Sequence, residues 1–220
     1  MSENIVSTAE STRSVNMAKR RALILSHARN VIANEGFDAL RLRDLAERAG
    51  ITVPTIYNLI GGKKDILTLI IEEPLKRLEI VHNQIREEDI EKVFEAQIDA
   101  RLELFSSNEQ YYKAAYIAGD RIGLFEQSSA SGLYKRSLQL TDSACRKAKD
   151  AGLLYGKVAP EKLSQQIYSC YRLARQDWVN GYIDLKTLRR QALTGVFLTL
   201  AADAKPSFRT KLIQYIEAMP

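Results

Sequence analysis

The chain has 220 residues, 45% of them apolar, and a formal charge of +5. That is enough to bury one large core or two unequal ones, and it excludes a disordered or fibrous protein. No run approaches the roughly 18 apolar residues that cross a bilayer. The first sixteen residues are polar and hold no apolar block of the kind a secretion signal carries, so a cytoplasmic location without membrane contact is expected. Cys145 and Cys170 stand far apart and make no metal spacing, which predicts free thiols.

Taken in order, residues 1–16 read as a flexible tail, 17–64 as a small helical domain and 65–220 as a larger helical region. Ile24, Leu25, Ala28, Val31, Ile32 and Ala33 form a helical apolar stripe that stops at Gly36-Phe37. Leu42, Leu45, Ala46 and Ala49 recur at i, i+3, i+4 and i+7, giving a short second helix ended by Gly50. Thr52 can cap a third helix whose second residue is Pro54. Two short helices meeting at a sharp angle have the geometry of a helix-turn-helix, in which the second helix enters the major groove. Charge is distributed to match. Residues 11–65 carry ten bases and five acids, whereas the remaining 155 residues past 65 are nearly balanced. Lys19, Arg20 and Arg21 cluster ahead of the first stripe, Arg41 and Arg43 open the second helix, and Lys63 and Lys64 open the fourth. Bases beside helix starts reinforce an anion site built from free N–H groups.

The composite of Gly36-Phe37, Asp44-Leu45-Ala46, Gly50-Ile51-Thr52, Thr55-Ile56-Tyr57 and Lys63 resembles the amino-terminal domain of the tetracycline-repressor (TetR) family over roughly residues 18–67. The chain departs from that pattern in three places. Arg41 stands where a Ser or Thr usually caps the second helix, Leu59 and Ile60 replace the usual His and Phe, and His27 replaces a common Ala. Groove entry by the third helix would expose Thr52, Val53, Thr55 and Asn58 and turn Ile56 and Ile60 inward. Asn58 can bond an adenine edge, and Val53 and Thr55 can touch thymine methyls. Tyr57 and Lys63 suit phosphates, as do Arg20, Arg41 and Arg43.

Beyond Asp65 the periodicity stays helical, so the fold class is all-α. It is a three-helix head with helix-turn-helix plus a larger helical bundle. Helices are expected near 65–84, 90–105, 108–118, 131–151, 160–181, 185–203 and 207–218. Ser107 with Gln110 makes a capping-box pattern, Gly152 follows a long periodic run, Pro160 sits at a helix start, and Asp184 can cap the helix after Gly181. Pro74 should bend the fourth helix, and residues 119–131 read as a loop or broken helix. Segments 160–181 and 185–203 are apolar on more than one face: Leu163, Ile167, Tyr171 and Trp178 with Tyr168, Leu173 and Val179 off the seam, and Leu188, Ala192 and Val196 opposite Leu193, Phe197 and Leu200. A homodimeric four-helix bundle would cover them, and the family resemblance implies the same dimer.

Aromatic residues are frequent in the larger region, the usual lining of a small-molecule cavity. Phe105, Tyr112, Tyr116, Tyr134, Tyr168 and Arg172 are the candidates for an effector pocket, which the resemblance implies without naming its lining. The expected partners are therefore double-stranded operator DNA, a second copy of the chain and a small-molecule effector, with no cofactor. A helical enzyme is the competing class. Glu79-Ile80-Val81-His82 is one Glu-x-x-His, half of a di-iron set, and His27 has Ile24 where the second glutamate would stand. No nucleophile elbow, phosphate-binding loop or cysteine-histidine array occurs. A protein-binding adaptor would leave the basic bias of residues 11–65 without a purpose. The resemblance implies repression as the commoner outcome.

Overall fold

The computed structural model describes residues 3–84, 89–126 and 128–219, with the side chains of residues 3–13 and 81–84 set aside. His82 therefore lies outside the described side chains. Among the described residues all regular structure is helical: α1 (Glu3–Glu35), α2 (Leu42–Arg48), α3 (Val53–Leu59), α4 (Lys63–Gln84), α5 (Ile90–Ser107), α6 (Glu109–Arg121), α7 (Leu133–Asp150), α8 (Pro160–Val179), α9 (Leu185–Ala201) and α10 (Pro206–Ala218). No helix among them is long and apolar enough to cross a membrane. Residues 3–16, expected as a tail, belong to α1, because neither glycine nor proline interrupts the chain before Gly36. Lys19, Arg20 and Arg21, expected at a helix start, therefore lie in mid-helix, away from free N–H groups.

The chain divides into two compact units, Met1–Ile71 with Gln110–Gly119, and Glu72–Glu109 with Asp120–Pro220. In the first, Ile24, Ala28, Val31 and Ile32 of α1 are buried, as are Leu40, Leu45, Ala46, Ile56, Ile66, Leu67 and Ile70. This is the stripe read from the sequence, now matched by one apolar side from each neighbouring helix. Tyr111, Tyr112, Ala115 and Tyr116 of α6 are also buried.

In the second unit α8 packs on α7 and α9, while α9 packs on α5 and α10. Both apolar faces of α9 are covered within the chain, since Leu188, Ala192, Val196, Leu193, Phe197 and Leu200 are all at most 1% exposed. The multi-faced pattern is therefore met by α5, α8 and α10 and does not by itself call for a second chain. Helix ends follow backbone bookkeeping. At α7 the Gly152 N–H donates to Lys149 and the Leu153 N–H to Ala148; at α8 the Gly181 N–H donates to Trp178 and the Tyr182 N–H to Asp177. Both are paired closures around a left-handed glycine. Asp184 caps α9 by accepting from the Thr187 N–H at 2.7 Å, and Pro160 is the first residue of α8, as expected. Ser107 does not cap α6. It sits in the last turn of α5, where its hydroxyl donates to the Leu104 carbonyl at 2.6 Å. α4 continues through Pro74.

Asp203 is 2% exposed and takes the Gly156 and Lys157 N–H groups on its two oxygens, at 2.9 and 3.1 Å. That pins the segment between α7 and α8 beside the end of α9. Arg136 of α7 donates to Glu79 at 2.8 and 3.1 Å and to Glu72 at 3.2 Å, tying α7 to two successive turns of α4. The segment after α6 is a packed turn, with Leu124 and Phe125 buried and the Ser131 hydroxyl donating to the Leu124 carbonyl.

Two glycines of the first unit should respond differently to alanine. Gly50 has φ +63° with open space around a Cβ, so Gly50→Ala should cost only the left-handed strain of about 1–2 kcal/mol. At Gly61, φ +112°, a Cβ would come within 2.4 Å of the Asp65 carboxylate, so Gly61→Ala should cost more. Urea unfolding of the two variants checks the order.

Candidate nucleic-acid interface

The turn between α2 and α3 is closed by two reciprocal hydrogen bonds. The Gly50 N–H donates to the Glu47 carbonyl at 3.1 Å and the Ile51 N–H to Ala46 at 2.9 Å, with Gly50 left-handed. Thr52 follows in extended conformation and its hydroxyl accepts from the Thr55 N–H at 3.3 Å. The two hydroxyls of Thr52 and Thr55 are themselves bonded at 2.8 Å. Four residues thus end one helix and start the next.

Ile56 is fully buried, which anchors α3 by one side. Thr52, Pro54, Tyr57 and Asn58 are exposed, Tyr57 at 57%, and Val53, Thr55 and Ile60 are half-buried. Of the residues named from the sequence for base contact, Thr52 and Asn58 are thus on the open side of the helix, and Val53 and Thr55 are partly covered. Arg41 and Arg43 are exposed at the start of α2, where no side chain caps the Arg41 position. Arg20 is exposed on α1.

Lys63 has a second task. Its ammonium donates to the Asp38 carbonyl at 3.1 Å and lies 4.5 Å from the centre of the Phe37 ring, so it fastens the start of α4 to the turn after α1. Lys64, one residue on, is exposed. The sequence reading passed over Asp65, which accepts the Gly62 N–H at 2.7 Å and is the third residue of α4. An acid at that position reaching back to the residue before the helix is half of a capping box, and its spacing after Gly61-Gly62 was the available signal.

The candidates for an effector pocket do not fall in one unit. Tyr112 and Tyr116 belong to the first; Phe105, Tyr134, Tyr168 and Arg172 belong to the second. Phe105 is buried and stacks on Trp178, ring centres 4.7 Å apart, while Tyr134 meets Tyr168 edge-on at 5.4 Å. A cleft of about 430 Å³ is lined by Tyr134, Leu138, Asp142, Glu161 and Ser164 of α7 and α8, among others. Arg172 borders a shallower recess with Arg175. Two thiols are free; that of Cys145 is buried and pushed up to about 12 by desolvation, hence unreactive. Among the described residues no cluster of His, Cys, Asp and Glu could hold a metal ion.

An exposed, capped second helix after a glycine turn has the geometry of a helix-turn-helix. Residues 24–70 match the family described as bacterial regulatory proteins, tetR family. Solved structures share the fold across most of the chain. SmeT, the repressor of the Stenotrophomonas maltophilia multidrug efflux pump SmeDEF, is 20% identical, with 86% of this chain and 92% of that chain covered and a TM-score of 0.64. SmeT in complex with triclosan superposes at 0.59, with 20% identity and coverage of 86% and 94%. A TetR-family regulator from Marinobacter aquaeolei is 16% identical, with 90% and 97% covered and a TM-score of 0.60. No curated protein matches in sequence.

Thr52→Ala should remove the cap and lower stability by about 1 kcal/mol. Thermal unfolding reads this directly, and a variant as stable as the parent would mean that the Thr52 hydroxyl is idle.

Proposed function

We propose that the chain is a ligand-responsive repressor: it binds a palindromic operator as a homodimer and leaves it when a small molecule occupies its larger domain. In this reading residues 17–64 form the reading head, and 65–220 carry the effector and dimer contacts. The observation that carries it is the free side of α3, from Thr52 to Asn58, raised over the buried Ile56. Asn58 offers a donor and an acceptor together, the pattern an adenine edge requires. Val53 and Thr55 give methyls for thymine. Tyr57, Arg41, Arg43 and Arg20 serve the phosphates, and Lys63 adds charge there while holding Asp38.

Dimerisation is supported by a specific patch. Leu173 of α8 and Leu198 of α9 are 67% and 53% exposed, on either side of a groove that also includes Cys170, Ala174 and Gly195. Two heads related by a two-fold axis reach half-sites about 34–36 Å apart, which one short helix could not hold alone. The solved SmeT–triclosan complex supports a small-molecule effector for a chain of this fold. Coupling would pass through α4. Its Glu72 and Glu79 are held by Arg136, so a ligand that shifts α7 acts on α4 through that ion cluster. The ligand moves the equilibrium only by its differential affinity for the two states.

A mobility-shift assay on DNA flanking the coding region, with and without candidate ligands, tests the whole reading. Asn58→Ala should cost about 1–3 kcal/mol at one base position. Lys63→Ala should weaken every sequence alike and reduce the salt slope by about 1, with a lower Tm because the Asp38 contact goes too. A changed sequence preference for Lys63→Ala, but none for Asn58→Ala, would reverse the roles. Replacing Leu173 and Leu198 together by Glu should give a folded monomer by sedimentation that no longer holds the operator; a dimer that persists would place the interface elsewhere.

A further inference from the structure

Helix α5 presents Phe94, Ile98, Arg101 and Phe105 at i, i+4, i+7 and i+11, one inward stripe with a guanidinium in the middle of it. Arg101 is 8% exposed. Its described contacts are a long bond to the Gln97 carbonyl, 3.4 Å, and the face of Tyr171, 4.5 Å from guanidinium to ring centre. No carboxylate among the described residues pairs with it. The acids on α5 are engaged elsewhere: Glu91 with Lys211, Glu95 and Asp99 with Arg189, and Glu103 with Arg77. Asp120, the acid on the α8 side, lies 3.5 Å from Arg175.

A buried lysine could shed its proton to escape this position, but an arginine does not. Burial of a cation without an anion costs several kcal/mol. A ring face recovers only part of that. An anion bound from outside the described residues would offset that cost. The surroundings say what the anion is attached to. Tyr168 and Tyr171 are neighbours on α8, and Tyr168 meets Tyr134, which lines the cleft between α7 and α8. An aromatic strip leads from the guanidinium to the cleft.

We propose that Arg101 is an effector-binding residue, and that the effector is an amphiphile with a carboxylate head on Arg101 and an apolar body along Tyr171, Tyr168 and Tyr134. The proposal rests on the ligand-responsive reading above and narrows it to one chemical class. It can be tested without DNA, because Trp178, the only tryptophan of the chain, stacks on Phe105 one helical turn from Arg101.

The full-length protein is titrated with decanoate and 4-phenylbutyrate, and with decanol and decylammonium, while Trp178 emission is followed. Saturable shifts are expected with the two acids, with decanol and decylammonium at least about 10-fold weaker, as befits one charge-assisted contact. Arg101→Met should lose about 10-fold or more in decanoate affinity while its Tm stays at or above that of the parent, since an apolar side chain replaces a buried unpaired cation. The probe comparison stands even if this variant fails to fold. Decanol binding as tightly as decanoate, no saturable shift with either acid, or unchanged decanoate affinity in a folded Arg101→Met protein would overturn the proposal. A mobility-shift assay run in parallel separates the two readings. Decanoate that binds without releasing operator supports the Arg101 assignment and counts against effector release. Release by a neutral compound, with no acid binding, removes the assignment alone.

Discussion

The constraint on which the exposed surface of α3 depends is the direction in which the backbone leaves α2. A helix ends with free carbonyls that must find donors, and Gly50 satisfies two of them through its own N–H and that of Ile51. Only a left-handed residue can point both groups back, so the turn is made in one tight step. Thr52 then supplies the first acceptor for α3 before another turn of chain has passed. With the angle fixed at both ends, burial of Ile56 decides which side of α3 is free. The exposed Tyr57 and Asn58 are the remainder of that decision rather than an independent feature.

The parts of the fold legible in the sequence are those governed by nearby residues. Gly50, Gly152 and Gly181 end helices, and Asp184 and Thr52 start them, because the groups they satisfy lie within five residues. Where a local rule has two outcomes, the sequence was less decisive. Ser107 could accept from the next helix or donate to the carbonyl of its own, and it does the latter because α5 runs on to include it. The polar start of α1 resembles a tail by composition, yet it contains no residue that breaks a helix.

Long-range consequences were harder to read. The double apolar face of α9 looked like a surface in need of a second chain, but sequence periodicity counts faces without counting neighbours. Here α9 has them on several sides. What stays uncovered is narrower: Leu198 and Leu173, beside the point where Gly195 lets α9 approach Cys170 closely. A Cβ at 195 would lie 2.5 Å from the Cys170 Cβ, so the glycine is required by the packing of the two helices within one chain. Leu173 and Leu198 are the apolar side chains that a second copy of the chain would cover. The effector candidates were mostly aromatic, with Arg172 among them; Phe105 stacks on Trp178, and Arg101 was not named.

That omission shows how buried charge should be read in this fold. Elsewhere in the second unit several buried ions are matched. Glu91 has Lys211, Asp203 has two backbone N–H donors, and Arg136, only partly buried, has two glutamates. Asp120 stands beside Arg175, and its carboxyl is raised above the usual range because burial outweighs the attraction of that guanidinium and of Arg172. Against this pattern, a stripe of four inward positions on α5 with arginine at one of them is not a surface residue mislaid. Phe94, Ile98 and Phe105 show that the position faces inward, and a methionine or leucine there would bury the same area at lower electrostatic cost. A costly residue at an apolar position calls for a compensating interaction, and under the proposal made for Arg101 an anion that comes and goes would make the position responsive to its surroundings.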